Sequence, residues 1–344
     1  MSTSTSAPTP FQVRVLEARA LNPLIRLFRL AALDGEALPG YTAGAHVRVR
    51  VTLADAGMGG VGGDFCGGTD WRHYSLVNFS AERGATAAPV EYVIAVREEL
   101  AGRGGSRYMH RRVQAGDVLT IEPPKNNFAL QAGPGRAVLV AGGIGVTPLA
   151  SMAAQRRAEG TEVRLHYAGR SRDTMAFLPE LRALLGDALL VHADAEVGAP
   201  FDAKALLAGC EPQDRLYVCG PKVMLDAVLA HTLACGWSHE RVHFELFTTP
   251  VAEAGDHAFE LVIASTGQSF RVAADETILD AMIAHGCDPV FDCKRGECGV
   301  CATPVREGEI DHRDRVLTAR EKAAGNVIHV CISRAKGARL VLDV

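Results

Sequence analysis

Cys293, Cys298 and Cys301 stand in a C-x4-C-x2-C spacing, and a fourth cysteine, Cys331, follows on the apolar run Val327, Ile328, Val330 and Ile332. Nothing else in the chain restricts the fold as much. Four thiolates that share one centre must be gathered by one tight loop and one distant strand, so this part of the chain has to form a small domain around them. Thiolates are soft ligands, suited to iron-sulfur clusters and zinc and poorly suited to hard cations. Gly296 and Gly299 lack a Cβ, so the loop can curl closely and turn backbone N–H groups toward the sulfurs.

Zinc sites of four cysteines usually read as two short C-x2-C pairs. Here one long loop carries three ligands and the fourth arrives alone, which is the plant-type spacing of a [2Fe-2S] centre. Structural zinc and buried thiols remain the alternatives. A one-electron centre needs a source of electrons, and the chain ahead of it is where that source should lie.

At 344 residues the chain is longer than a single core usually grows, so two or three domains are expected. A formal net charge of −4 gives no basic footprint for nucleic acid, and no apolar run reaches the length of a membrane span. Residues 1–10 are rich in Ser, Thr, Pro and Ala and lack the basic-then-apolar order of a secretory signal, so they read as a flexible tail. Cys66, Cys210, Cys219, Cys235 and Cys287 form no disulfide framework, which points to a reducing cytoplasm.

From Phe11 the pattern is β, with short runs rich in β-branched residues at 13–15, 25–30, 47–51, 92–96 and 118–121. Turn signals such as Leu38-Pro39-Gly40 and Ala115-Gly116-Asp117 separate strands without helices, so residues 11–130 are expected to form an antiparallel barrel. Residues 56–70 read as a Gly-rich loop in which Cys66 is incidental. Arg72-His73-Tyr74-Ser75 then offers a guanidinium for phosphate, an aromatic ring for a planar cofactor and a hydroxyl for its ring atoms. Gly102-Arg103-Gly104-Gly105-Ser106 offers open backbone N–H groups ahead of a short helix from about Arg107, a place for a phosphate. Taken singly, Tyr74 suits a packed strand aromatic and the glycine run a loose turn equally well.

From Arg136 strand and helix alternate. Strands are expected at 137–141, 163–167, 189–192 and 216–219, with helices after Pro148 and at 178–185, so residues 131–247 read as a doubly wound parallel sheet. Gly142, Gly143 and Gly145 turn the first strand into its helix and let a ligand approach backbone and helix N-terminus, although this is not G-x-G-x-x-G. Arg170 follows the second strand, and Cys219-Gly220-Pro221 closes the fourth. By default Cys219 is a small core residue. Residues 243–247 read as a core strand and 248–256, with Pro250, as a linker. Residues 257–344 hold a hairpin around Thr266-Gly267, a helix at 277–285 closed by Gly286, and the four cysteines. His312, in Asp311-His312-Arg313-Asp314, reads as part of a polar surface turn.

In this order the segments resemble the ferredoxin-NADP reductase superfamily, and within it the phthalate dioxygenase reductase branch. The resemblance implies an antiparallel β-barrel flavin domain, an α/β doubly wound nucleotide domain and a β-grasp plant-type ferredoxin domain. It implies FMN, contacted by Arg72, His73, Tyr74, Ser75, Ile94, Ala95, Val96, Gly104, Gly105 and Ser106, with Thr147 and Phe247 at the flavin ring. It implies NADH on Gly142, Gly143, Gly145, Arg170, Cys219, Gly220 and Pro221, with Thr147 and Cys219 beside the nicotinamide as the residues closest to the chemistry; Arg170-Ser171-Arg172 leaves NADPH open. Cys293, Cys298, Cys301 and Cys331 would ligate the [2Fe-2S] cluster. The function implied is hydride transfer from NAD(P)H to FMN, then single electrons through the cluster to a terminal Rieske non-haem iron oxygenase acting on an aromatic acid or similar compound. A monomer suffices for this. The rivals are a reductase for a haem or diiron monooxygenase and a non-catalytic redox sensor; the complete nucleotide site argues against the sensor.

Overall fold

The computed structural model describes residues 9–53, 68–100, 104–133, 135–247 and 252–344. Most of the expected tail, most of the Gly-rich 56–70 stretch with Cys66, residues Gly102 and Arg103, and the start of the 248–256 linker with Pro250 lie outside the described residues. Contacts divide the chain into two units, Met1–Glu245 and Leu246–Val344.

The first unit begins with β1 (Phe11–Asn22), β2 (Ile25–Ala32), β3 (His46–Thr52), β4 (Thr69–Ser75), β5 (Tyr92–Arg97), α1 (Gly105–Arg111) and β6 (Val118–Ile121). The strands form an antiparallel sheet in the order β4-β3-β6-β1-β2-β5. Its edges meet where Val77, just beyond β4, donates its N–H to Val93 of β5 at 2.9 Å, which closes the barrel. Alternate residues such as Val47, Val49 and Val51 point into one shared core with Phe28, Leu30, Ile94 and Ile121. The helix α1 is pinned at its C-terminal end, where Arg26 donates to the carbonyls of Met109 (3.3 Å), His110 and Val113 (3.2 Å) and to Ala18 (3.2 Å). A cation there meets unsatisfied carbonyls and the negative end of the helix dipole. Burial pushes the His110 pKa down, so its neutral ring donates from Nε2 to the Val96 carbonyl at 2.7 Å and ties α1 to β5.

The same unit continues with β7 (Ala137–Gly142), α2 (Val146–Glu159), β8 (Val163–Gly169), α3 (Leu178–Leu185), β9 (Leu189–Ala193), α4 (Asp194–Val197), α5 (Ala203–Ala208), β10 (Arg215–Cys219), α6 (Lys222–Ala234) and β11 (Val242–Glu245). These strands are parallel in the order β11-β10-β7-β8-β9. The chain runs outward from β7 to β9 and then returns to the other side of β7, so the topological switch point lies between β7 and β10. Open α/β sheets bind ligands beyond the strand ends at such a point. Barrel and sheet are stitched together by Ser151 of α2, whose hydroxyl donates to Leu76 O at 2.6 Å and accepts from Asn78 N–H at 2.9 Å.

The second unit contains β12 (Phe259–Ile263), β13 (Ser269–Val272), α7 (Ile278–Ala284), β14 (Ala302–Glu307), β15 (Ile310–Asp311), α8 (Ala319–Ala324), β16 (Val327–His329), β17 (Arg334–Ala335) and β18 (Arg339–Leu342). The main sheet has the order β13-β12-β18-β14-β16, with β12 and β18 parallel, and a short β15-β17 pair stands beside it. Thr277 caps α7 by accepting from Asp280 N–H, and Gly286 follows its end at φ +80, as the sequence pattern anticipates. Two departures come from charge. The end of the expected linker is anchored, because Arg313 pairs with both Asp256 and Asp311. The turn at 311–314 is not a surface turn: the side chain of His312 is 9% exposed and that of Asp314 0%.

Hydrogen bonds from Arg313 hold the Asp256 carboxyl at about 2, below the ordinary carboxylate range. A depressed acid stabilises the fold above its unfolded pKa of about 4, and the contribution disappears as pH falls through about 2, so all of it is present at neutral pH. Asp256→Asn is expected to destabilise the second unit by about 2 kcal/mol at pH 7, read as a lower denaturant midpoint. At pH 2 the difference from wild type should shrink.

Candidate functional site

The four cysteines come together. Cys293, Cys298 and Cys301 lie on the loop between α7 and β14, and Cys331 follows β16. Cys293, Cys301 and Cys331 are buried and Cys298 is half-buried, and none is in a disulfide. The Cys293 thiol adjoins those of Cys298 and Cys331, and Cys301 adjoins Cys331. The loop achieves this by passing through left-handed backbone at Lys294 (φ 55), Gly296 (φ +72) and Gly299 (φ +75). A Cβ on Gly296 would sit 2.6 Å from Ile332 Cγ2 and 3.2 Å from Asp314 Cα, so only glycine fits there. Hydrogen bonds from the Cys298 and Cys331 thiols, and then from backbone N–H groups of Glu297 and Arg295, hold the Cys293 pKa far below the usual thiol range. The Arg295 N–H lies 3.3 Å from its sulfur. Crowded thiols with inward backbone donors are the donor set an iron-sulfur cluster requires.

Behind the loop stands a buried acid that the sequence pattern did not single out. Asp314 Oδ1 accepts from Val316 N–H (3.1 Å) and Leu317 N–H (2.8 Å) and lies 3.4 Å from His329 Nδ1; Oδ2 lies 3.6 Å from His312 Nδ1. Burial alone would push this carboxyl up, but His329, the Leu317 N–H and Lys322 outweigh it and keep the group ionised. Asp314 in turn raises the His329 pKa. His329 lies two residues before Cys331, the one cue the sequence offered.

In the first unit, the expected flavin contacts converge on the barrel seam. Arg72, His73, Tyr74 and Ser75 lie on β4, and Ile94, Ala95 and Val96 on β5, the two strands that meet at closure. Gly104, in left-handed backbone at φ 98, starts α1, and no side chain caps that helix end. A Cβ on Gly105 would stand 2.7 Å from Arg72 Nε and 2.9 Å from Arg72 Cγ, so the missing side chain lets the guanidinium stem lie against the helix N-terminus. The Arg72 guanidinium pairs with Asp70. Ser106 Oγ accepts from Glu99 N–H at 2.9 Å and fixes the turn. The Tyr74 hydroxyl is buried without a hydrogen-bond partner among the described residues, and burial pushes its pKa up. A phosphate cradle beside an aromatic with an unpaired buried hydroxyl fits a planar phosphorylated cofactor such as FMN.

The nucleotide candidates gather at the switch point. Three glycines bring the ends of β7 and β10 into contact: a Cβ on Gly145 would stand 2.1 Å from Cys219 O, one on Gly142 2.5 Å from Pro221 Cδ, and one on Gly220 2.9 Å from Gly142 Cα. Gly143 turns at φ +55 and faces open space. Thr147, buried at the start of α2, donates its hydroxyl to Ile144 O at 3.0 Å. Cys219 is fully buried. Arg170 is exposed just past β8, whereas Arg172 is held by Glu196 at 2.7 Å. Phe247 belongs to the second unit, two residues beyond the last strand of the first.

Comparison with known proteins agrees with this arrangement. Residues 261–336 match the model for the 2Fe-2S iron-sulfur cluster binding domain, and residues 118–242 match that for the N-terminal domain of the dimethylamine monooxygenase subunit DmmA-like proteins. The chain is 38% identical over 340 residues to a toluene-4-sulfonate monooxygenase system reductase subunit of Comamonas testosteroni, covering 98% of this chain and 100% of that protein. It belongs to the reductase subunits of multicomponent oxygenase systems.

The reductase also shares its fold with phthalate dioxygenase reductase, described as a modular structure for electron transfer from pyridine nucleotides to [2Fe-2S] (TM-score 0.71, 32% identity, 97% of this chain and 98% of that one). It matches an intact type IV self-sufficient cytochrome P450 monooxygenase with TM-score 0.70 and 35% identity over 97% of its own length, and spans 41% of that longer chain. The 2Fe-2S domain match, whose span includes all four cysteines, decides against a zinc domain. Among the described residues no helix is long and apolar enough to cross a membrane.

Cys301→Ser in the reductase should abolish the iron-sulfur absorption and EPR signal while leaving flavin content unchanged, because the two sites lie on different units. Gly105→Ala should lower flavin affinity by about tenfold, near 1.4 kcal/mol, measured by fluorescence titration with free FMN.

Proposed function

We propose that this protein oxidises NADH and delivers single electrons to a terminal Rieske non-haem iron oxygenase. The observation that carries the proposal is a single chain in which four crowded thiols accompany a glycine-lined switch point and a phosphate cradle on a barrel seam. When bound, FMN takes a hydride from the nicotinamide and the [2Fe-2S] cluster carries its electrons onward one at a time.

The chain's own residues bind, orient and exclude water. Arg72 and the N–H groups around Gly104, Gly105 and Ser106 would hold the FMN phosphate, while His73, Tyr74, Ser75, Ile94, Ala95 and Val96 would line the ring. The buried Tyr74 hydroxyl supplies a hydrogen bond to a ring atom. Gly142, Gly143 and Gly145 admit the nucleotide backbone to the N-terminus of α2, with Gly220 and Pro221 opposite. Thr147 has spent its proton on Ile144 O and so presents oxygen lone pairs beside the nicotinamide. Cys219 is a positioning residue whose small buried side chain keeps that wall thin. Arg170 would meet the ribose or phosphate. Its neighbour Arg172 faces Glu196 in a solvent-exposed pair. All three sites lie on one chain, so a monomer in the cytoplasm suffices.

The Rieske partner is supported by the likeness to the reductases of toluene-4-sulfonate and phthalate oxygenation. The likeness to part of a P450 chain favours a second reading, in which the acceptor is a haem monooxygenase. Anaerobic mixing of NADH-reduced protein with a Rieske oxygenase and, separately, with a P450 decides between them. The Rieske centre is expected to be reduced many times faster; reduction of the P450 alone would overturn the assignment. Sustained NADH-driven reduction of cytochrome c is expected, and its absence would favour the sensor.

A further inference from the structure

We propose that Asp314, which is no ligand, is a positioning residue that braces the loop of Cys293, Cys298 and Cys301 against the segment of Cys331 and so governs how firmly the [2Fe-2S] cluster is retained. The inference goes beyond the electron-transfer function proposed above and is independent of which oxygenase takes the electrons. It depends on the 2Fe-2S domain that residues 261–336 match, and every contact it uses lies within the second unit.

The brace is a short turn. Asp314 Oδ1 accepts from the N–H groups of Val316 (3.1 Å) and Leu317 (2.8 Å), which folds residues 314–317 back on the carboxylate. Lys322 donates from Nζ to the Asp314 carbonyl and ties the turn to α8. So held, the turn meets the cluster loop at Gly296 and Gly299, the two glycines whose left-handed backbone lets the loop curl. The Gly296 carbonyl accepts from Arg315 N–H at 3.0 Å, and a Cβ on Gly296 would stand 3.2 Å from Asp314 Cα. A Cβ on Gly299 would stand 3.4 Å from Val316 Cγ1.

The same carboxylate faces the segment of the fourth ligand. His329 Nδ1 lies 3.4 Å from Asp314 Oδ1, and a Cβ on Gly299 would stand 3.9 Å from His329 Nε2, so the ring lies between the carboxylate and the loop. His329 precedes Cys331 by two residues and pairs in the ladder with Ala302, the neighbour of Cys301. A second tie runs beside it: Arg313 N–H donates to Ser333 Oγ at 3.1 Å, and Ser333 N–H donates to His329 O at 3.0 Å. The Asp314 side chain is 0% exposed, and a charge is costly to bury unless donors surround it. Its donors come from the turn, and the ring that faces it belongs to the Cys331 segment. Removing the carboxylate strips the Val316 and Leu317 N–H groups of their acceptor and the His329 ring of its facing charge, so the turn loses its hold on both ligand-bearing segments at once.

The experiment uses the full chain loaded with flavin and cluster, as wild type, Asp314→Ala, Asp314→Asn and Val272→Ala. Asp314→Asn keeps an oxygen for the two N–H groups and loses the charge; Asp314→Ala loses both. Val272→Ala removes buried methyls from β13, at the edge of the sheet opposite β16, and weakens the unit without touching the brace. Cluster release into excess EDTA at pH 7 is followed by the loss of iron-sulfur absorption, and the EPR spectrum of the dithionite-reduced cluster is recorded beforehand. Dithionite bypasses the flavin, so neither readout depends on the NADH step. Release is expected to quicken by about tenfold in Asp314→Ala and about threefold in Asp314→Asn, with a shifted EPR spectrum in Asp314→Ala. Val272→Ala should keep the wild-type release rate and spectrum while its denaturant midpoint falls. A wild-type release rate in Asp314→Ala would overturn the brace, as would equal quickening in Asp314→Ala and Val272→Ala, which would make release a matter of overall stability. Should Asp314→Ala not fold, Asp314→Asn carries the test, and release no faster than that of Val272→Ala would overturn the brace.

Discussion

Four thiols held at one point is the constraint to which the second unit answers. Sulfurs this close can be ligands or a disulfide source; none of the four is in a disulfide, and the loop that gathers three of them passes through left-handed backbone at Lys294, Gly296 and Gly299. Left-handed backbone is costly for a residue with a Cβ, and Lys294 bears that cost while the glycines avoid it. The remainder of the unit supplies the support. Cys301 and Cys331 are core residues packed with Ile278, Leu279 and Ile328, so the ligand geometry is set by the same apolar contacts that hold the sheet to α7. Asp314, buried, hydrogen-bonded by Val316 and Leu317 and 3.4 Å from His329, fixes the segment that passes behind the cluster loop.

The first unit solves a different problem, which is to bring polar backbone close to a phosphorylated ligand without leaving it unsupported. It does so twice by omitting a side chain. At the switch point Gly142, Gly145 and Gly220 let two strand ends touch. At the barrel seam Gly105 lets Arg72 lie on the start of α1. In both places the approach depends on anchors farther away: Arg26 and His110 for α1, and Ser151 for the join between barrel and sheet. Precision at the site is carried by buried hydrogen bonds several residues removed from it.

Much of this architecture was legible in the chain. The strands of both sheets appear where β-branched runs occur, and α3 occupies the expected 178–185, because a short amphipathic period survives burial on one face. The helices α4, α5 and α6 carried no such clear signal; in α6 apolar residues fall on exposed as well as buried positions, Val223 and Leu233 among the exposed, so no single face stands out. Asp, His and Arg in succession at 311–314 look like a solvated turn. Their charges instead face one another and buried partners, which composition cannot reveal. Similarly, Pro250 and small residues suggested a loose linker, while Asp256 at its end is gripped by Arg313, more than fifty residues away in the chain.

The sequence by itself determined the candidate ligand set, the order of barrel, parallel sheet and ferredoxin-like unit, and the glycines that stand where strands and helices meet. These follow from local properties: thiol spacing, the period of apolar residues, and the absence of a Cβ. Tertiary structure alone decided which distant groups meet. It set Arg72 against Gly105, Cys219 O against Gly145, Asp314 between His312 and His329, and Glu297 on the amide of Leu246. Each of these pairs joins residues far apart in the chain, and their meeting depends on the packing of whole elements, which no local pattern encodes.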